Sequence, residues 1–348
     1  MRRRTRILTA VATATATAAA LGFAAMSASA GTLQAGGALP PHVFAPYFET
    51  YDTSAGLAAL SQASGAKYLS LAFLQTAQAG SCTAYWDGNT SEPIAQSSFG
   101  SDIATIQAAG GNVIPSFGGY SADTTGTDIA DSCTSVSAIA QVYENVITAY
   151  HVPRIDLDIE ANSLTNTAGI NRRDQAVAQT EAWAAAHGSK IQFSYTIPST
   201  TTGLDAAEPA VIQNAIADGA TITTVNLMTF DYYIGTKQKM AADTETAAAA
   251  AHGQLRSDYP GDTAGKLWHM IGITEMPGID DFGPDETFAK AAAVTVLNWA
   301  RHHGIGTLSF WALQRDNGGC PGTKGAGTCS GIKQPTWYFS HTFEPFTR

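Results

Sequence analysis

Apolar, β-branched and aromatic residues recur along the chain in eight short runs: His42 to Glu49, Tyr68 to Gln75, Asn112 to Gly119, Arg154 to Glu160, Lys190 to Ser199, Thr223 to Tyr232, Leu267 to Met276 and Thr307 to Leu313. Each has the length of a buried strand, and their starts lie 26 to 44 residues apart. Between them the pattern changes to a helical period in Ala-rich segments, as at Ser135 to Tyr150, Asp174 to His187, Met240 to Leu255 and Glu286 to His303. Strand then helix, eight times over, predicts an α/β fold, a single (β/α)8 barrel. Only Pro277 to Asp285 separates the seventh run from the next helix, which is too little chain for an inserted α+β domain.

In such a barrel, functional side chains collect at the C-terminal ends of the strands. The unusual polar residues fall there: Glu49, Ser116, Glu160, Asp231, Glu275 and Gln314. The fourth run alternates strictly. Asp156, Asp158 and Glu160 share one face and Ile155, Leu157 and Ile159 the other. The apolar face suits the outer helices, so the acids point into the barrel, where charge is costly unless protons are shared. Against a purely rigidifying network stands the lack of a basic residue in register with them. Against a divalent metal site stands the poverty of ligands on the neighbouring runs, only Ser116, Ser194 and Tyr195. No metal and no cofactor is expected.

The first 30 residues begin with Arg2, Arg3, Arg4 and Arg6, continue as an Ala-rich apolar stretch and reach Ala28-Ser29-Ala30. That is the pattern of a secretory signal peptide with an A-x-A cleavage site, leaving residues 31–348 as one exported catalytic barrel with no membrane segment. The leader holds four of the 19 Lys and Arg and none of the 29 acids, so the mature chain carries a net charge of −14. An acidic surface disfavours nucleic acid and anionic lipid and suits a neutral or cationic substrate. Four cysteines in an exported chain predict two disulfides. Cys320–Cys329 would close a short Gly-rich loop, and Cys82–Cys133 would link neighbouring loops. No C-x-x-C spacing or nearby His supports a metal instead.

Four motifs fall in order on these strands. They are Ser116-Phe117-Gly118-Gly119, Asp156-x-Asp158-x-Glu160, Met228-Thr229-Phe230-Asp231-Tyr232 and Ser309-Phe310-Trp311. Together they resemble glycoside hydrolase family 18, the chitinase family, and the segment Leu308 to Asn317 is most similar to its bacterial and archaeal branch. The resemblance implies a secreted, monomeric chitinase acting on chitin or its oligosaccharides. Glu160 would be the proton donor, and Asp158 would orient the substrate's acetamide. Asp156, backed by Ser116, would share a proton with Asp158. Tyr47, Met228, Asp231, Tyr232 and Trp311 would contact the sugar, with Ser116 also counted at the binding site. Glu49, Glu275, Asp281 and Trp86 are further candidates for the cleft. Two positions depart from the family pattern. Pro153 stands where an outer Asp is usual, and Phe230 stands where many members have Tyr. The same acids would serve an endo-β-N-acetylglucosaminidase acting on N-glycans, which substrate tests separate from a chitinase. A non-catalytic sugar-binding barrel would lack the proton donor that Glu160 provides.

Overall fold

The computed structural model describes residues 37–52 and 54–348; the predicted leader lies outside the described residues. The first predicted strand is present in two pieces, β1 (Val43–Phe44) and β2 (Tyr47–Glu49), interrupted at Ala45–Pro46. Pro46 has no N–H to give to a ladder. Strand β3 (Tyr68–Thr76) follows with a short antiparallel partner, β4 (Ala84–Trp86). Next come β5 (Asn112–Gly118), β6 (Arg154–Asp158), β7 (Gln192–Pro198), β8 (Ile222–Met228) and β9 (Ile271–Glu275). A two-residue hairpin, β10 (Gly278–Ile279) with β11 (Thr287–Phe288), precedes β12 (Thr307–Phe310). The parallel order runs β1-β12-β9-β8-β7-β6-β5-β3-β2. Because β1 and β2 are halves of one run, with β1 on β12 and β2 on β3, the sheet closes on itself as a (β/α)8 barrel. Among the described residues no α+β domain follows β9.

The helices are α1 (Leu57–Ser64), α2 (Ser101–Ala108), α3 (Tyr120–Thr125), α4 (Ile129–Ser132), α5 (Val136–Tyr150) and α6 (Thr167–Ala186). They continue as α7 (Glu208–Asp218), α8 (Met240–Asp258), α9 (Ala264–Met270), α10 (Lys290–His303) and α11 (Tyr338–Phe343). Helix α5 shows why they form. The Ser135 side chain caps it by accepting from the Ala138 N–H, and Ile139, Tyr143, Val146 and Tyr150 bury one stripe against the barrel. No helix among the described residues is long and apolar enough to cross a membrane. Both expected disulfides, Cys82–Cys133 and Cys320–Cys329, are present.

Several boundaries differ from the sequence expectation: α6 begins at Thr167 rather than Asp174, β6 and β8 end at Asp158 and Met228, and two further shifts have clear local causes. The seventh run starts as a helix: Thr263 caps α9 by accepting from the Lys266 N–H, and Leu267 and Met270, three apart, are its buried pair. Over four residues an apolar run fits a strand or a helix turn equally well. The last long helix begins at Lys290 rather than Glu286, because Thr287–Phe288 is spent on the hairpin. At the base of the barrel the chain's last residues meet its first described strand. The Arg348 N–H donates to His42 O at 3.2 Å, and the Phe44 N–H donates to Thr347 Oγ1 at 3.0 Å.

Candidate active site

The strand ends form a cleft of about 740 Å³ at the C-terminal face. Its character follows from the inward side chains, which are mostly hydroxyls and amides rather than the usual aliphatic filling. Asp156 sits deepest. Its Oδ2 accepts from Tyr47 Oη (2.9 Å) and Ser116 Oγ (2.7 Å), and its Oδ1 from Ser194 Oγ (2.6 Å) and Thr196 Oγ1 (2.9 Å). Burial raises its pKa, and the four hydroxyls work in the opposite direction. All of its acceptor positions are taken from β2, β5 and β7, so the expected shared proton with Asp158 has no hydrogen bond in this arrangement.

A basic residue does stand in register with the acids, contrary to the sequence expectation. Arg154 lies two residues before Asp156, hence on the same face, and is buried beneath it. It donates to Gln192 Oε1 at 2.8 Å and to Thr307 Oγ1 at 3.1 Å. A cation therefore underlies the acids at the level where Pro153 replaces the outer Asp.

Asp158 is the contrast. It is buried and lines the cleft, yet its Oδ1 has no hydrogen-bond partner. Burial, and then the carboxyls of Glu160, Asp156 and Asp123, hold its pKa well above the usual range. Glu160 follows at the end of the strand, facing the same cleft, with its pKa pushed up to about 7 by burial and the charge of Asp281, against an opposing Tyr120 N–H. Trp311 forms an apolar floor, stacked on Phe73 at 5.5 Å and 13° between planes. Tyr47, Met228 and Asp231 line the cleft as expected.

Five residues expected at the binding site do not line the cleft. Ser116 is fully buried behind Asp156, where it supports that carboxyl rather than a ligand. Asp231 and Tyr233 take left-handed backbone, with φ of 51° and 55°. The alternation therefore breaks after β8: Tyr232 turns back toward Glu275 and Thr244, and Tyr233 lines the cleft. Glu275 is on the outer face of β9 because Thr274 takes the inner one; it accepts from Thr244 Oγ1 on α8 at 2.7 Å. Glu49 is buried under Tyr51, whose hydroxyl donates to its Oε1 at 2.7 Å. Trp86 is a core residue, packed on Phe99 and donating through Nε1 to Tyr150 Oη at 3.0 Å.

Asp281, a candidate from the sequence, lines the cleft, and so do Tyr51 and Tyr120, which the sequence reading did not single out. Only Tyr120, directly after Gly118-Gly119, had a motif beside it to draw attention. A second acid group was not foreseen. Asp231, Asp280 and Glu286 bring one oxygen each within 4.8 Å of one another, a spacing compatible with a cation. Their oxygens accept main-chain amides instead: Asp280 those of Asp231, Phe282 and Gly283, and Glu286 those of Tyr232 and Ile234. Burial first, then neighbouring acids, push Asp231 up to about 8, and burial pushes Asp280 up to about 7.

A (β/α)8 barrel that presents a proton-retaining carboxyl beside a second, unpartnered one over an aromatic floor has the equipment of a glycoside hydrolase. The sequence model for glycosyl hydrolases family 18 matches residues 43–275, and the chain belongs to that family. It is 30% identical over 325 residues to the probable bifunctional chitinase/lysozyme of Escherichia coli strain K12, covering 89% of this chain and 35% of that protein. It is also 30% identical over 292 residues to endochitinase 11 of Metarhizium anisopliae, covering 80% of this chain and 53% of that one. The chain thus spans about a third and about half the length of these curated relatives. Among solved structures, the catalytic domain of the hyperthermophilic chitinase from Pyrococcus furiosus superposes with a TM-score of 0.76 at 28% identity, covering 88% of this chain and 95% of that one. Catalytic-site mutants of that enzyme's active domain 2, complexed with chito-oligosaccharides, superpose at 0.77 with the same identity.

Proposed function

We propose that the chain is an exported chitinase that hydrolyses β-1,4-linked N-acetylglucosamine polymers with retention of configuration. The observation that carries this reading is the pairing of Glu160, which keeps its proton to about pH 7, with Asp158, whose buried Oδ1 has no protein partner. An acetamide N–H is the kind of donor that Oδ1 lacks. Glu160 gives its proton to the glycosidic oxygen as that bond breaks, and the substrate's own acetamide oxygen bonds to the anomeric carbon. Asp158 accepts the acetamide N–H and stabilises the charge on the resulting oxazolinium ion. Water, deprotonated by the returned Glu160 carboxylate, then opens that ring from the face the leaving group left. Trp311 supports the sugar's apolar face.

The short hairpin after β9, in place of an inserted domain, supports internal cleavage, and the A-x-A leader with two disulfides supports export. Incubating the mature protein with chitin hexamer and resolving product lengths and anomers tests the proposal. Retained β-anomers are expected, with no cleavage of cellulose or fully deacetylated chitosan, which lack the acetamide. Efficient hydrolysis of either would make a protein carboxylate the nucleophile and defeat the reading. Dimer as almost the sole early product, with little fall in viscosity of a long soluble substrate, would defeat internal cleavage.

A further inference from the structure

Asp123 is on α3, behind the end of β6, 1% exposed and outside the cleft lining. Glu160 lies two residues past the end of β6, and its N–H finds an acceptor in Asp123 Oδ2 at 2.5 Å. The Asp123 N–H in turn donates to Gly119 O at 3.0 Å, and the Gly119 N–H donates to Asp158 O at 3.0 Å. Three hydrogen bonds thus close a ring that ties residues 158 and 160 to the first turn of α3. Glycines make the approach possible. A Cβ on Gly118 would stand 2.1 Å from Asp158 O, and one on Gly119 2.5 Å from the Phe73 ring. Both have positive φ, of 94° and 83°.

We propose that Asp123 is a positioning residue for proton transfer, holding the Glu160 main chain so that its side chain meets the glycosidic oxygen at a fixed height and angle. The inference rests on Glu160 being the proton donor. Burial and the nearby Asp128 push the Asp123 carboxyl up to about 9. The Glu160 N–H needs only an acceptor at that place, so the anchoring is geometric.

The test compares two substrates. Chitin hexamer needs a proton on its leaving group, whereas a dinitrophenyl glycoside of chitobiose expels an anion that needs none. D123A should lower kcat/KM on the hexamer by roughly 30-fold and leave kcat/KM on the aryl glycoside within about 3-fold, because kcat/KM reports the steps up to glycosidic-bond cleavage, where only the hexamer needs the proton, and not the later step in which Glu160 deprotonates water. D123N supplies an amide oxygen to the same N–H and should restore the hexamer rate to within about 3-fold of the parent. Should D123A not fold, D123S, too short to reach that N–H, is measured in its place. Equal losses on both substrates, an unchanged hexamer rate in the folded variant, or a selective loss in D123N would each overturn the proposal. E160Q separates the two ideas. Hexamer turnover retained by E160Q removes the donor assignment itself, while an inactive E160Q beside an unaffected D123A removes only the role of Asp123.

Discussion

Two groups of three carboxyls stand at the same end of this barrel, and they are built in different ways. Asp156 and Asp158 come from one strand and Glu160 from two residues past its end, all spaced by the strand's period of two, and their surroundings are graded. The deepest is saturated by four hydroxyls, the middle one has an oxygen with no partner, and the last holds its proton toward neutrality. Asp231, Asp280 and Glu286 come from loops up to 55 residues apart, and main-chain amides occupy the oxygens of Asp280 and Glu286 and the Oδ1 of Asp231. The difference teaches that crowded acids are not in themselves chemistry. An acid whose acceptors are filled by backbone holds a loop, and one left open toward a cleft is available to a substrate.

The largest effect that sharpens this contrast is expected at Glu160. E160Q should fold normally, bind chitin oligomers, and lose at least about a hundredfold in turnover; near-normal turnover on unactivated oligomers would erase the distinction. Asp158→Asn should follow closely, since it alters the one carboxyl left free for an acetamide, and a mild effect would count against substrate assistance. Glu286→Ala should act on the other side of the comparison. Leaving the Tyr232 and Ile234 N–H groups without acceptors should cost about 3 kcal/mol in denaturant unfolding. Stability unaffected by this change would mean the loop acids do not hold the backbone.

pH should touch both groups with a common sign. Asp158, Asp231 and Asp280 all bind protons more tightly folded than in an unfolded chain, where the pKa is about 4. Their stabilisation is complete below about pH 4; that of Asp231 and Asp280 is lost as pH rises through about 7 to 8, and that of Asp158 as pH rises through its own raised pKa. The Tm should therefore be lower at pH 9 than at pH 5.5, and Asp231→Asn should flatten that slope. Turnover of unactivated oligomers should fall above about pH 7, as Glu160 loses its proton. The smallest effect is expected from Trp86→Phe: about 1 kcal/mol of stability for the lost Tyr150 hydrogen bond, with KM unchanged.

What was legible in the sequence follows from range. The eight strands repeat a local pattern, and the alternation of Asp156, Asp158 and Glu160 is set by geometry within seven residues, so both could be seen. The trio at Asp231 could not, because nothing local links it to Asp280 and Glu286. Tyr232 and Tyr233 exchanged roles through a left-handed turn that no Gly or Asn announced. Glu275 stood at a strand end yet faced outward, since position at an end does not decide the face, and Trp86, read as part of the loop after the second strand, packs in the core. Arg154 was overlooked although the same period of two that aligned the acids also aligned it beneath them.

The meeting of Arg348 with His42 at the barrel base has a practical side. The cleft opens at the opposite end, so a tether leaving from Arg348 would exit away from the substrate. Immobilising the protein on a bead or a sensor chip through that residue should present the cleft outward to long, insoluble polymer. A label attached through the Cys320–Cys329 loop would instead stand beside Asp281 at the rim, because that loop brings Gly325 against the Asp281 carboxyl.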